Sequence, residues 1–177
     1  MNQTSPLENL AGPGKPLHKE PPDQKEISGL IGSGCARLKD AEITTLALES
    51  RFDLAYNAAN ALCLAALRRQ GYRSGNRYIV FQALQHTLGL GPEVWRVLAK
   101  CHDVRNLGEY EGDLNINERL VADLIAAAKR VVETLQKTFA ANVKRRVIPL
   151  FVANPELSIR LGCLAITFDY LPRAAKS

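Results

Sequence analysis

From about residue 24 to residue 140, apolar side chains recur every three or four positions, the spacing of one face of an α-helix. In KEISGLIGSGCARLKDAE the rhythm is carried by Ile27, Leu30, Ile31 and Leu38, while Gly29, Gly32 and Gly34 predict a frayed middle. The next segment, LALESRFDLAYNAANALCLAALRRQGY, is the strongest helix: rich in Ala and Leu, with a cap expected at Thr44 or Thr45 and a stop at Gly71. It is apolar almost all the way round. Such a rod needs cover on more than one side, either at the centre of a bundle or in a subunit interface. Ile79, Phe81, Leu84 and Leu88 predict a shorter third helix closed by Gly89 and Gly91. Pro92 sits in the favoured first turn of a fourth helix, which points Trp95, Leu98, Val104 and Leu107 toward the core. Asn117 caps a fifth, with Leu120, Leu124, Ala127, Val131 and Leu135 on one stripe. With no convincing strand before residue 140, the pattern predicts an all-α, up-and-down bundle of four to five helices.

The flanks read differently. Residues 1–23 are dense in Pro, Gly and charge and predict a flexible or loosely docked arm, leaving 24–140 as the helical domain. Residues 141–177 form a basic C-terminal extension whose apolar runs are interrupted by Pro149, Pro155 and Pro172. The net charge of +5 belongs to this end of the chain. Lys and Arg balance Asp and Glu through residue 135, and residues 136–177 hold seven basic side chains against two acidic ones. A basic tail raises nonspecific affinity for phosphate backbones, but it is commonly only a solvated chain end.

Four cysteines, Cys35, Cys63, Cys101 and Cys163, lie far apart without a CxxC pair, and there are three histidines, so a metal site has little support. Cys63, inside ALCLAAL, reads as a small buried thiol. No stretch approaches a membrane span and no signal-peptide core opens the chain, which points to a cytoplasmic protein with no membrane partner. The glycines at 89 and 91 do not form a phosphate loop, and no cofactor is expected.

The candidate chemistry lies in three places. On the fourth helix His102, Arg105, Asn106 and Glu109 share a stripe, with Tyr110 one turn beyond Asn106. This is either a solvated face with an Arg105–Glu109 pair or a polar site facing a groove. Asp53, Asn57 and Asn60 form a polar stripe on the long helix, which could lie opposite. RRQGYRSGNRY gathers Arg68, Arg69, Arg73 and Arg77 with Tyr72 and Tyr78, and no acidic residue occurs between Asp53 and Glu93. Arginines with aromatics suit phosphates and bases, although cations at a helix C-terminus are also favoured by its dipole.

The Arg105–Asn106 pair late in the fourth helix, followed at short spacing by a polar aromatic residue, resembles the HEPN superfamily (higher eukaryotes and prokaryotes nucleotide-binding domains). So does the long helix RFDLAYNAANALCLAALRRQGYR, and the resemblance spans roughly residues 24–140. It implies a nucleotide- or RNA-binding module, a homodimer in which two motifs share a cleft, and for many members metal-independent ribonuclease activity. Many bacterial members also pair, as toxins, with a minimal nucleotidyltransferase antitoxin. The motif's Arg maps to Arg105 and its polar follower to Asn106, but its His position falls at Tyr110. A phenol titrating near pH 10 is a poor base at neutral pH, and a histidine near 6.5 is well matched. His102, one turn upstream, is the alternative. The expectation is therefore a nucleotide-, RNA- or partner-binding module with weak or no nuclease activity, in which Arg105, Asn106, Tyr110 and His102 are the candidate catalytic residues and Asp53, Asn57, Asn60, Glu109, Arg73 and Arg77 the ligand contacts. The alternative is a divergent ribonuclease toxin, and a purely structural scaffold is a third reading.

Overall fold

The structure, a computed structural model, describes residues 6–111 and 116–153, with side chains omitted for 109–111 and 140–153. The chain divides into two compact units, Met1–Gln136 and Lys137–Ser177. The first is an all-α bundle built from α2 (Gln24–Ala41), α3 (Leu48–Arg69), α6 (Pro92–Glu111) and the start of α7 (Glu118–Ala153). Short pieces complete it: α1 (Pro6–Asn9), α4 (Arg77–Gln82), α5 (Leu84–Thr87), and a two-residue antiparallel pair of β1 (His18–Lys19) with β2 (Tyr72–Arg73).

The long helix α3 is the centre of the bundle. Phe52, Tyr56, Leu62 and Leu67 are fully or almost fully buried, and so are Ala55, Ala58, Ala59, Ala65 and Ala66 on other sides of the rod. Small side chains let neighbours approach closely, and α2 exploits this most. Gly34 of α2 lies so near Leu62 that an added Cβ would sit 2.8 Å from Leu62 Cγ. The glycines of α2 do not fray it; the helix runs unbroken from its Asp23 cap, whose carboxylate accepts from the Lys25 amide at 2.8 Å. Gly34 is a crossing point, whereas Gly29 and Gly32 face open space.

Other boundaries differ from expectation for local reasons. The α3 N-cap is Ala47, without a side-chain hydrogen bond, and neither Thr44 nor Thr45 serves. Instead buried Arg51 ties this end down, donating from Nε to the Ala41 carbonyl at 3.1 Å and from Nη1 to Glu118 at 3.0 Å. At the other end Gly71, at φ 81°, takes the left-handed conformation that ends the helix. The expected third helix is two short ones that meet at Ala83, with Asn76 capping α4 through bonds to the Tyr78 and Ile79 amides. In α6 the buried stripe is Val94, Leu98 and Cys101, while Trp95 and Val104 are half-buried and Leu107 is 53% exposed. The stripe expected in α7 is the one found: Leu120, Leu124, Ala127, Val131 and Leu135 are all buried, and Asn117 accepts from the Leu120 amide at 2.9 Å. Helix α7 continues past Pro149 to Ala153; Pro155 and Pro172 lie outside the described residues.

From Pro6 onward the N-terminal arm is docked. Leu17 is fully buried, Leu7 nearly so, and the Ser74 hydroxyl donates to the Pro16 carbonyl at 2.8 Å. The charges that hold this arm include Arg68, a fully buried guanidinium. It donates to Glu26 (2.9 Å), to the Glu20 carbonyl (3.0 Å) and to the Pro21 carbonyl (2.9 Å). Arg73 extends the network, bidentate to Glu20 at 2.6 and 3.0 Å and bonded to Glu26 at 2.6 Å. A buried cation is tolerated only when its donors are matched in this way.

Two predictions test this frame. Gly34→Ala forces Leu62 or the α2 backbone to move and should cost about 1–3 kcal/mol in urea unfolding, an overpacking penalty. Gly29→Ala, with open space around it, should instead gain up to about 1 kcal/mol from helix propensity; equal effects at the two positions would refute the crossing point. The second concerns acid. The hydrogen bond from Arg73 holds the Glu20 carboxyl below its ordinary value, and that from Arg68 does the same for Glu26. Stability from such depressed carboxyls is present above about pH 4.5, their ordinary value, and is lost as pH falls through the lower folded values. The stability gap between wild type and Glu26→Gln, followed by circular dichroism, should therefore narrow below about pH 4.5. A gap constant with pH would show that the Glu26 charge does not stabilise the dock.

Candidate functional site

In α6 the positions 94, 98, 101 and 105 advance by four, three and four residues, so they follow one inward face. Its first half is apolar. Its second half is polar: after Cys101 come His102 and Arg105, turned toward α3 and half-buried where a core helix would place leucines. The residue that receives them is Tyr56, whose side chain is fully buried.

The Tyr56 hydroxyl lies 2.7 Å from His102 Nδ1, and Asn106 Nδ2 lies 3.1 Å from His102 Nε2. Both ring nitrogens are therefore engaged. If Nδ1 carries the proton it donates to the tyrosine oxygen while Nε2 accepts from the amide, and the other tautomer requires a flipped Asn106. The His102 and Tyr56 rings are nearly parallel, 9° apart with centroids 6.2 Å apart, and Phe81 meets both edge-on, at 6.3 and 6.0 Å. Phe52 stacks beyond Tyr56 at 6.4 Å, and Tyr78 approaches His102 at the same distance. This aromatic block fixes the histidine's ring plane.

Two guanidinium groups lie on the Tyr56 ring. Arg105 Cζ is 5.2 Å from its centroid and Arg77 Cζ, from the first residue of α4, is 5.4 Å away. Arg105 also reaches Asp53 across the helix interface, Nε to Oδ1 at 3.5 Å, the outer limit of a hydrogen bond. It forms one wall of an open groove of about 570 Å³ between the first turns of α3 and the end of α6, lined also by Glu49, Ser50, Asp53, Leu54 and Gly108.

The candidates thus separate. Arg105, Asn106, His102, Asp53 and Arg77 gather around Tyr56. Asn57 is bonded to the Asp53 carbonyl of its own helix at 2.9 Å, and Asn60 is half-buried on the same rod. Arg73 belongs to the N-terminal dock with Glu20 and Glu26, as does Arg68. The side chains of Glu109 and Tyr110 lie outside the described residues, although both are on α6. Tyr56 was the residue that sequence reasoning missed, because a tyrosine in an Ala-rich helix looks like ordinary core. Its signal is phase: it is one turn after Phe52 on the buried face, level with polar residues of another helix.

Cys63 and Cys101 are buried, and burial pushes both thiols up, Cys101 to about 12, so neither is a nucleophile at neutral pH. Cys163 lies outside the described residues. Among the described residues no cluster of His, Cys, Asp and Glu suits a metal ion, and no helix is long and apolar enough to cross a membrane. Comparison with known protein families, curated proteins and solved structures finds no match for the chain.

Removing the tyrosine hydroxyl leaves His102 Nδ1 without its partner in a half-buried setting. Tyr56→Phe should therefore lose about 1–3 kcal/mol of stability and broaden or shift the His102 imidazole ¹⁵N resonances. Unchanged stability and resonances would show that the 2.7 Å contact does not hold the ring.

Proposed function

We propose that this chain is a HEPN-like module that binds nucleotide or RNA at the junction of α3, α4 and α6, with weak or no nuclease activity of its own. The observation that carries the reading is the pair of guanidiniums, Arg105 and Arg77, on one buried tyrosine ring beside the His102–Asn106 pair. Guanidinium groups bind phosphate by a planar fork, and stacking on an aromatic ring holds the fork in place. Single-stranded RNA suits such a site, because its phosphates and splayed bases reach side chains that a duplex would not.

The engagement of both His102 nitrogens supports binding over cleavage. To take a proton from a 2′-hydroxyl, the ring would have to give up Asn106 or Tyr56, and a general base must be within reach of the proton it removes. The homodimer implied by the family resemblance belongs to this reading. The groove beside Arg105 and the exposed Leu107 of α6 support placing the second subunit there.

The test is fluorescence anisotropy with a labelled single-stranded RNA, run beside a metal-free cleavage assay, on wild type and Arg105→Ala. Wild type should bind with an affinity that falls as salt rises, and the variant should bind about tenfold more weakly, the scale of one charge-assisted contact. Equal binding by the two proteins would place the RNA affinity away from Arg105 and overturn this site assignment. Cleavage that disappears in the variant would replace this reading with the ribonuclease one.

A further inference from the structure

Resting on that reading, we infer that Arg77 is a phosphate-binding residue of the site, and that the ligand is held by a phosphate group gripped between Arg77 of α4 and Arg105 of α6. Three observations lead there. First, Arg77 has no carboxylate to pair with among the described residues, whereas Arg51, Arg68, Arg73 and Arg105 each have one. The sequence offers none nearby, since no acidic residue lies between Asp53 and Glu93. Second, its Nη1 is buried and has no hydrogen-bond partner among the described residues. Third, a second cation shares its tyrosine ring, at 5.2 Å against its own 5.4 Å.

An unmatched donor on a half-buried cation costs free energy, and a like charge on the same ring adds to the cost. The ring face offsets part of it. A phosphate offsets the remainder, because it presents several acceptor oxygens and one or two negative charges to two forks at once. The arrangement makes Arg77 destabilising alone and stabilising with an anion bound, the reverse of Arg68, each of whose three nitrogens donates to an acceptor inside the protein. The side chain as a whole is half-buried, so binding requires the guanidinium to turn its unmatched edge toward the ligand. Asn76 anchors the first turn of α4 through the Tyr78 and Ile79 amides, which fixes the Arg77 backbone from which the guanidinium would turn.

Thermal unfolding of the full chain tests this, using wild type, Arg77→Gln and Arg105→Ala with inorganic phosphate, a 5′-mononucleotide or a short single-stranded RNA, and acetate as control. Without ligand, Arg77→Gln should melt at or above the wild-type temperature, since a poorly matched charge has been removed. Phosphate-bearing probes should raise the wild-type midpoint and leave Arg77→Gln nearly unmoved, with affinity weakened about tenfold. A shift with inorganic phosphate alone would make the anion itself the determinant; a shift confined to the mononucleotide or RNA would add the nucleoside. A large drop in the unliganded midpoint of Arg77→Gln would make Arg77 a structural residue and overturn the inference. It would also fall if Arg77→Gln kept the full ligand shift while Arg105→Ala lost it, an outcome that leaves the binding reading intact. No shift of wild type with any probe would remove both, and an acetate shift equal to that of phosphate would reject the phosphate assignment.

Discussion

Helix α3 needs to be covered on nearly every side, and the rest of the bundle is arranged around that need. Thirteen of its 22 residues are buried, including an arginine near each end. Alanines and a glycine partner let α2 lie close along one side, where a larger residue than Gly34 would strike Leu62. The ends are held by charge where apolar surface runs out: Arg51 joins the end of α2 to the start of α7, and Arg68 joins the N-terminal arm. Tyr56, on the same buried face, could not be covered by apolar groups alone, because its hydroxyl needs a partner. His102 supplies it, and the site begins there.

The arginines show why composition alone could not place the site. Arg68, Arg73 and Arg77 lie within ten positions of one another and look alike in sequence. What separates them is the carboxylates of Glu20 and Glu26, more than forty residues earlier, which reach the first two and not the third. A long-range ion pair leaves no local spacing to read. The same limit applies to the arm: its Pro and Gly content predicts a flexible or loosely docked chain, while the burial of Leu17 and the β1–β2 pairing are set by the surface it meets.

The α7 stripe, the Pro92 start, the Gly71 stop and the all-α bundle all rest on the 3.6-residue period and on backbone preferences that act over one or two turns. The α6 stripe was misphased for a physical reason: its inward face changes from apolar to polar halfway, so fitting an apolar stripe over its full length pulls Val104 and Leu107 inward. Both polar clusters are legible in the sequence, and one residue from each, Asp53 and Arg105, meets across the helix interface at 3.5 Å. The tyrosine between them was not visible, because its role depends on depth.

That depth also bears on what the site can do. Catalysis needs a group able to change partners during the reaction, and His102 is held by a buried hydroxyl on one nitrogen, an amide on the other and aromatic rings around it. Such a ring is well placed to orient neighbours and poorly placed to shuttle protons. Both guanidiniums lie against the Tyr56 ring, and Arg105 is also tied to Asp53, so the ring sets where the two cations sit. On the binding reading proposed above, a histidine held in this way beside two cations would orient an anion rather than take part in proton transfer.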